Sequence, residues 1–411
     1  MAPAVAQQKP RPAVQLAKVS LPPGFQIALY ADGVSSARQM ALAPDGTVFV
    51  GSFGLFSGNP KIGNVYAVRD TNRDGRADEV KTILTGLNMP NGVAFRDGAL
   101  FVGEQHRIVR YDNILARLDN PPAPIVVADL PTDPSTTNHS WKYLRFGPDG
   151  KLYVPVGGPC NICDRGDPWA TILRMNPDGS GREIYARGVR NSVGLAFDPA
   201  GGALWFSDNG RDMLGDNLPS DEVNRATGAG QHFGFPYCHQ GDVLDPEFGK
   251  GKSCAAYVPP IVKMGPHVAA IGLTFYTGSM FPVQYKNQLF VAEHGSWNRS
   301  APLGYRVAVV RIQDGTSSGQ EVFAGGFFDG KEVMGRPVDV LQLADGSLLV
   351  SDDLQGKMYR ITYREQADPS RRHQLTNRPG ERIGVECHGT RVGLGRDRRT
   401  TRSEYVRSRS F

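Results

Sequence analysis

One pattern recurs six times along the chain: a tight turn followed at once by three apolar residues. "APDGTVFVGSFG" starts at Ala43, "RDGALFVGE" at Arg96 and "GPDGKLYVPVGG" at Gly147. "DPAGGALWFSDNG" starts at Asp198, "YKNQLFVAEHG" at Tyr285 and "LADGSLLVSDD" at Leu343. The apolar triplets begin at Val48, Leu100, Leu152, Leu204, Leu289 and Leu348, spaced by 52, 52, 52, 85 and 59 residues. A repeat of ~40–50 residues with about four strands cannot bury its own faces and must stack on its neighbours, which is the pattern of a β-propeller. Six copies predict an all-β chain folded as a six-bladed β-propeller. The long fourth interval holds a polar insert between Cys238 and Cys254. The 49 glycines and 30 prolines suit many strands and turns and exclude a helical bundle.

The propeller is expected over residues 21–363, after a flexible leader at 1–20 and before a basic, disordered tail at 364–411. The net charge of +5 belongs to that tail, which holds twelve Arg and no Lys against six acidic residues. The remaining chain sums to −1. A neutral body argues against a nucleic-acid surface. No run approaches the ~18 apolar residues of a membrane span.

Cys160 and Cys163 form C-x2-C in one loop, and Cys238 and Cys254 flank the insert. Four thiolates could hold zinc, but a second tight pair is missing. Two loop disulfides in an oxidising compartment are the favoured reading, which points to a periplasmic or secreted protein. Cys387 is left over in the tail.

In a propeller, the loops entering the inner strands open on one face, where polar residues converge near the axis. Counting back ten residues from Asp149 of the third turn reaches His139. The same count from Ala200 reaches Arg190, and nine residues back from Asp345 lies Arg336. Three polar residues from three blades thus share one level.

The segments "HSWKYLRFGPDGKLYV", "VRNSVGLAFDP", "LWFSDNGRD" with "DEVN", and "FVAEHGSWNRS" resemble the soluble sugar dehydrogenases that use pyrroloquinoline quinone (PQQ), above all the sorbosone dehydrogenase-like branch. The likeness runs from about Leu21 to Tyr363. It implies oxidation of the aldehyde or hemiacetal carbon of a sugar, with electrons passed to a separate acceptor, a cytochrome or a quinone. His139 would be the general base, accepting the hydroxyl proton as hydride moves to the quinone; a neutral imidazole suits that task. Arg190, Asn191 and Arg336 would bind the PQQ carboxylates, for which Arg has the matching fork geometry. Asn209 would face the cofactor. A second arginine of the last blade is replaced here by Val338, and Arg299 is the candidate substitute, with His294, Trp297 and Asn298 beside it. Calcium would sit on the backbone carbonyls of Gly210 and Arg211 and act as a Lewis acid.

A second calcium signal stands apart. "DTNRDGRADEV" sets Asp70, Asn72, Asp74 and Asp78 in the order of an EF-hand loop, but Lys81 occupies the twelfth position, where a Glu is needed. A solvated Asp-rich turn is the alternative. Two rival functions remain open: a metal-dependent hydrolase or lactonase on the same fold, which would need axial carboxylates, and a non-enzymatic binding propeller.

Overall fold

The computed structural model describes residues 13–53 and 63–365. The readings placed on residues 1–12 and on the tail with Cys387 lie outside them. Six antiparallel sheets follow one another along the chain. The first blade is built of Ala37–Leu42, Val48–Ser52, Gly63–Arg69 and Glu79–Leu87 in that order. The next four begin with inner strands at Gly92–Arg96, Arg145–Phe146, Leu195–Phe197 and Ala270–Phe275. The sixth runs Pro337–Gln342, Leu348–Asp352 and Lys357–Tyr363, and its outermost strand is Phe25–Asp32 from the beginning of the chain. That antiparallel pairing closes the ring.

The apolar triplets fall on the second strand of every blade. Each of those strands is buried at all five positions. A second strand is covered on both faces by adjoining blades, so its sequence reads as a continuous apolar run and not as alternation. The turns that feed three of these strands share one construction. The Asp45 carboxylate accepts the Thr47 N–H at 2.9 Å, Asp149 that of Lys151 at 3.1 Å and Asp345 that of Ser347 at 2.9 Å. The intervening glycines 46, 150 and 346 have φ of 93°, 76° and 86°, which a residue with a side chain rarely adopts.

Val14 to Ser20, read in the sequence as part of a flexible leader, are packed, as is Leu21 at the start of the expected propeller. Ser20 bridges Gly325 through two backbone hydrogen bonds of 3.1 and 3.0 Å, and Val14, Leu16, Val19 and Leu21 lie against the core of the fifth and sixth blades. Apolar residues at alternate positions give this stretch a face to bury.

The long fourth interval is an insert between Ser220–Ala226 and Val262–Pro266, the outer strands of the fourth blade. Its Gln231–His232 adds in parallel to Glu183–Arg187 of the third blade. The four cysteines form two disulfides, Cys160–Cys163 and Cys238–Cys254, and not a zinc site. Among the described residues no helix is long and apolar enough to cross a membrane.

Candidate active site

The loops before the inner strands and after the second strands meet around a cavity of about 560 Å³. That is the size of a small-ligand pocket. Of the residues singled out in the sequence, His139, Arg190, Asn191, Asn209, Gly210, His294, Trp297, Asn298 and Arg336 line it. Arg211 and Arg299 are not among the lining residues.

His139 is the most constrained of these. It has φ of 51°, a left-handed backbone uncommon for a residue with a side chain and a marker of stored strain. Its Nδ1 lies 2.7 Å from the carbonyl oxygen of Gly158. A carbonyl only accepts, so Nδ1 carries the proton and Nε2 keeps its lone pair. Burial, with Arg190 adding to it, pushes the ring's pKa well below 6.5, against the opposing pull of the Gly158 bond. The imidazole is thus neutral at neutral pH and is held in the tautomer of a base.

Close approach of three loops makes this possible. A Cβ on Gly157 would lie 2.5 Å from the His139 Cβ and 3.2 Å from the Arg190 carbonyl oxygen. Gly157→Ala is therefore expected to displace His139 and to destabilise the fold by about 1–3 kcal/mol, the usual effect of overpacking. Thermal melting together with turnover checks this: an unchanged Tm and rate would mean that the loops do not meet as described.

Arg190 is fixed on every side. Its backbone N–H and that of Asn191 donate to the buried Asp208 carboxylate at 2.9 and 2.6 Å. Its guanidinium reaches Asn161, Asp212 and the Asn209 carbonyl. Asn209 in turn donates to the Ala270 carbonyl at 2.7 Å.

Across the cavity, Asp353 gathers the remaining charges. It accepts from Arg38 at 2.9 Å, from Arg336 at 2.9 Å and from His294 at 3.1 Å. Burial alone would raise this carboxyl, but His294 and the two guanidiniums outweigh it and hold Asp353 well below the usual carboxylate range. Arg38 was not foreseen. It enters from the first blade, also donates to Asn91 at 2.7 Å, and lies 5.4 Å from the centre of the Phe53 ring. It supplies the second guanidinium that Val338, buried at 3% exposure, does not. Arg299 instead donates to the Ala301 carbonyl at 3.1 Å.

Other cavity residues missed in the sequence are Phe53, Trp141, Asn161, Asp212, His267 and Asp353. Trp141 Nε1 and Asn298 Oδ1 are buried without a protein partner. Trp297 lies at the mouth, 72% exposed.

Gly210 donates its N–H to Asp221 at 2.8 Å, and the Arg211 guanidinium is anchored by Asp245 at 2.5 Å and by Glu247. The backbone that would present two carbonyls is thereby pinned from both ends. Asp70, Asn72, Asp74 and Asp78 also come together, in the loop between Gly63–Arg69 and Glu79–Leu87 of the first blade, and none of them lines the cavity. Their side chains are engaged with loop N–H groups, such as Gly75 N–H to Asp70 at 2.8 Å and Thr71 N–H to Asp78 at 2.8 Å. Among the described residues no group of three or more His, Cys, Asp and Glu is arranged to hold a metal ion.

Comparison with known proteins agrees with the fold. The chain is 34% identical over 359 residues to an uncharacterized protein of Borreliella burgdorferi, covering 84% of this chain and 91% of that one. It is 26% identical over 177 residues to aldose sugar dehydrogenase YliI of Escherichia coli, covering 38% and 45% of the two chains. The holo form of the PQQ domain of pyranose dehydrogenase from Coprinopsis cinerea superposes with a TM-score of 0.70 at 19% identity, over 86% of this chain and 98% of that one. The PQQ-bound aldose sugar dehydrogenase of Streptomyces coelicolor superposes with a TM-score of 0.59 at 18% identity, over 84% of this chain and 100% of that one, and at these identities the likeness is one of fold. Residues 11–384 match the model of one family along nearly the whole propeller, and the chain belongs to that family, described as a domain of unknown function, DUF7133.

Proposed function

We propose that this protein is a PQQ- and calcium-dependent dehydrogenase that oxidises the aldehyde or hemiacetal carbon of a sugar and passes the electrons to a separate acceptor. The observation that carries the reading is His139: a neutral imidazole with Nδ1 tied to Gly158 and Nε2 unclaimed by the protein, on the wall of a cavity that also holds three arginines.

The residues present fit PQQ. Arg190, Arg336 and Arg38 come from three blades and bring positive charge for carboxylates, Arg190 with most of its donors already held by Asn161, Asp212 and Asn209. Trp141 Nε1 and Asn298 Oδ1 are buried polar atoms that a ligand would satisfy. Phe53 and Trp141, with ring centres 5.4 Å apart, give a flat molecule an aromatic wall. Calcium would take the Gly210 and Arg211 carbonyls, whose backbone is already held. When bound, PQQ supplies a two-electron acceptor for hydride. The chain's own part is acid–base: His139 Nε2 takes the hydroxyl proton as hydride leaves the same carbon, and the Gly158 carbonyl stabilises the imidazolium through Nδ1. The two disulfides favour a periplasmic or secreted location.

The hydrolase alternative lacks free carboxylates. Asp353 holds two guanidiniums and His294, Asp221 holds the N–H groups of Gly210 and Ala269, and Asp212 holds Arg190 and Asn298.

Arg190→Ala and Arg336→Ala are each expected to weaken PQQ binding about 10- to 150-fold, from loss of a charge-assisted contact worth about 1.5–3 kcal/mol. Titration of apoprotein with PQQ in the presence of Ca2+ measures this. Two unchanged curves would place the cofactor elsewhere.

A further inference from the structure

The Cys160–Cys163 disulfide encloses two residues, and one of them is the central contact of the site. The Asn161 carbonyl accepts from Arg190 Nε at 2.9 Å, and its Oδ1 accepts from Arg190 Nη2 at 2.8 Å. Among the described residues, the other hydrogen bonds of that guanidinium go to Asp212 at 3.0 Å and to the Asn209 carbonyl at 3.0 Å. Asn161 also orients the first of these. Its Oδ1 accepts the Asp212 N–H at 2.8 Å, and its Nδ2 donates to the Asp212 carbonyl at 3.0 Å. One asparagine of the third blade thus makes four hydrogen bonds to two residues of the fourth.

A loop that carries so much geometry has to be stiff. Residues 164–167, directly after it, are exposed, and no strand passes through 157–170. The disulfide closes a ring around Asn161 and Ile162 and removes backbone freedom that the open chain would keep. Two residues before the ring, Gly158 accepts from His139 with its carbonyl and donates its N–H to the Arg190 carbonyl at 2.9 Å. The segment 158–163 therefore touches both the base and the arginine.

We propose that Asn161, held rigid by the Cys160–Cys163 bridge, is the positioning residue for Arg190, so that the bridge sets the affinity of the site for its anionic cofactor. Asn161 acts through the guanidinium that it holds. The cofactor part of this inference rests on the PQQ reading above; the geometric part does not.

The test has one arm without cofactor and one with it. In ¹⁵N-labelled apoprotein, exchange of the Arg190 Nη2–H that donates to Asn161 Oδ1 is followed by NMR. Slow exchange is expected in the wild type, and at least about tenfold faster exchange in Asn161→Ala and in Cys160→Ser/Cys163→Ser, because a freed donor loses its protection. Asn161→Asp, which keeps the side-chain acceptor, should retain the protection. In the second arm, Asn161→Ala weakens PQQ binding by about 10- to 100-fold, yet the double variant Asn161→Ala/Arg190→Ala binds no more weakly than Arg190→Ala alone. A residue with a merely structural role would give additive losses.

Unchanged Nη2–H exchange in Asn161→Ala, or additive losses in the cycle, overturns the proposal. If the wild type binds no PQQ, the functional reading fails while the exchange arm still decides the positioning. If the serine variant does not fold, Asn161→Ala decides alone, since it breaks no covalent link.

Discussion

Apoprotein stripped with EDTA is expected to reduce no dye with any aldose, and to gain that activity when PQQ and Ca2+ are both restored. The effect should be all or none, because no side chain around the cavity can accept a hydride. Imidazoles, guanidiniums and carboxylates move protons and stabilise charge; they do not take up an electron pair from carbon. Ca2+ alone should leave the protein inactive. PQQ with EDTA present should do the same if, as proposed, the Gly210 and Arg211 carbonyls take a calcium ion. NAD(P) should not substitute. The helices among the described residues are short 3₁₀ turns, and no G-x-G-x-x-G lies between a strand and a helix to cradle a pyrophosphate. The assay is dye reduction across a panel of aldoses and sorbosone. Turnover without any quinone would sink the assignment.

The fold was legible because its packing repeats. Val48, Leu100, Leu152, Leu204, Leu289 and Leu348 each begin a strand sandwiched between blades, so each wrote the same apolar run into the sequence. The closing strand Phe25–Asp32 left no such trace. Its partner, Lys357–Tyr363, lies more than three hundred residues away, and nothing local announces a pairing over that distance.

Half of the site was legible for the same reason. His139, Arg190 and Arg336 stand nine or ten residues before their turns. Arg38 stands only seven before Asp45, inside the inner strand Ala37–Leu42 and not ahead of it, and that count passes over it. A second register was present and unread. The fifth residue from the triplet start is Glu104, Asp208, Glu293 or Asp352 in four blades. Asp208 and Asp352 accept the backbone N–H groups of Arg190 and Arg336. The residue after it is Asn209, His294 or Asp353 in three of those blades, and Phe53 in the first, and all four line the cavity. Reading that column would have found Asp353, and with it the place where Arg38 belongs. The reach of Arg299 and the four contacts of Asn161 were not recoverable in this way. They depend on the course of irregular loops, for which periodicity says nothing.

Replacement of His139 is expected to separate chemistry from binding. His139→Asn keeps an N–H that can reach the Gly158 carbonyl but has no basic nitrogen; His139→Ala loses both. Both should bind PQQ as the wild type does, because the arginine contacts are untouched. Both should lose about 10²–10⁴ in kcat, the usual worth of a positioned base. The loss belongs to kcat because the proton moves only as the transition state is approached. The pH dependence follows from the same geometry. Burial, and then Arg190, favour the neutral ring, so the folded-state pKa lies well below 6.5. Reduction of bound cofactor by sugar should therefore stay level as pH falls from 8 through 6.5, and decline only below that, where protonation finally removes the Nε2 lone pair. Arg190→Ala removes one of the causes, leaving burial and the charge of Lys142, and should move the decline upward, toward the pKa of an ordinary histidine. Stopped-flow reduction against pH, for the wild type and the three variants, measures all of this. A wild-type rate in His139→Ala would leave His139 as no more than a strand-entry residue. A wild-type midpoint at or above 6.5 would mean that the ring is not held neutral by its surroundings, and the tautomer set by Gly158 would then not be that of a working base.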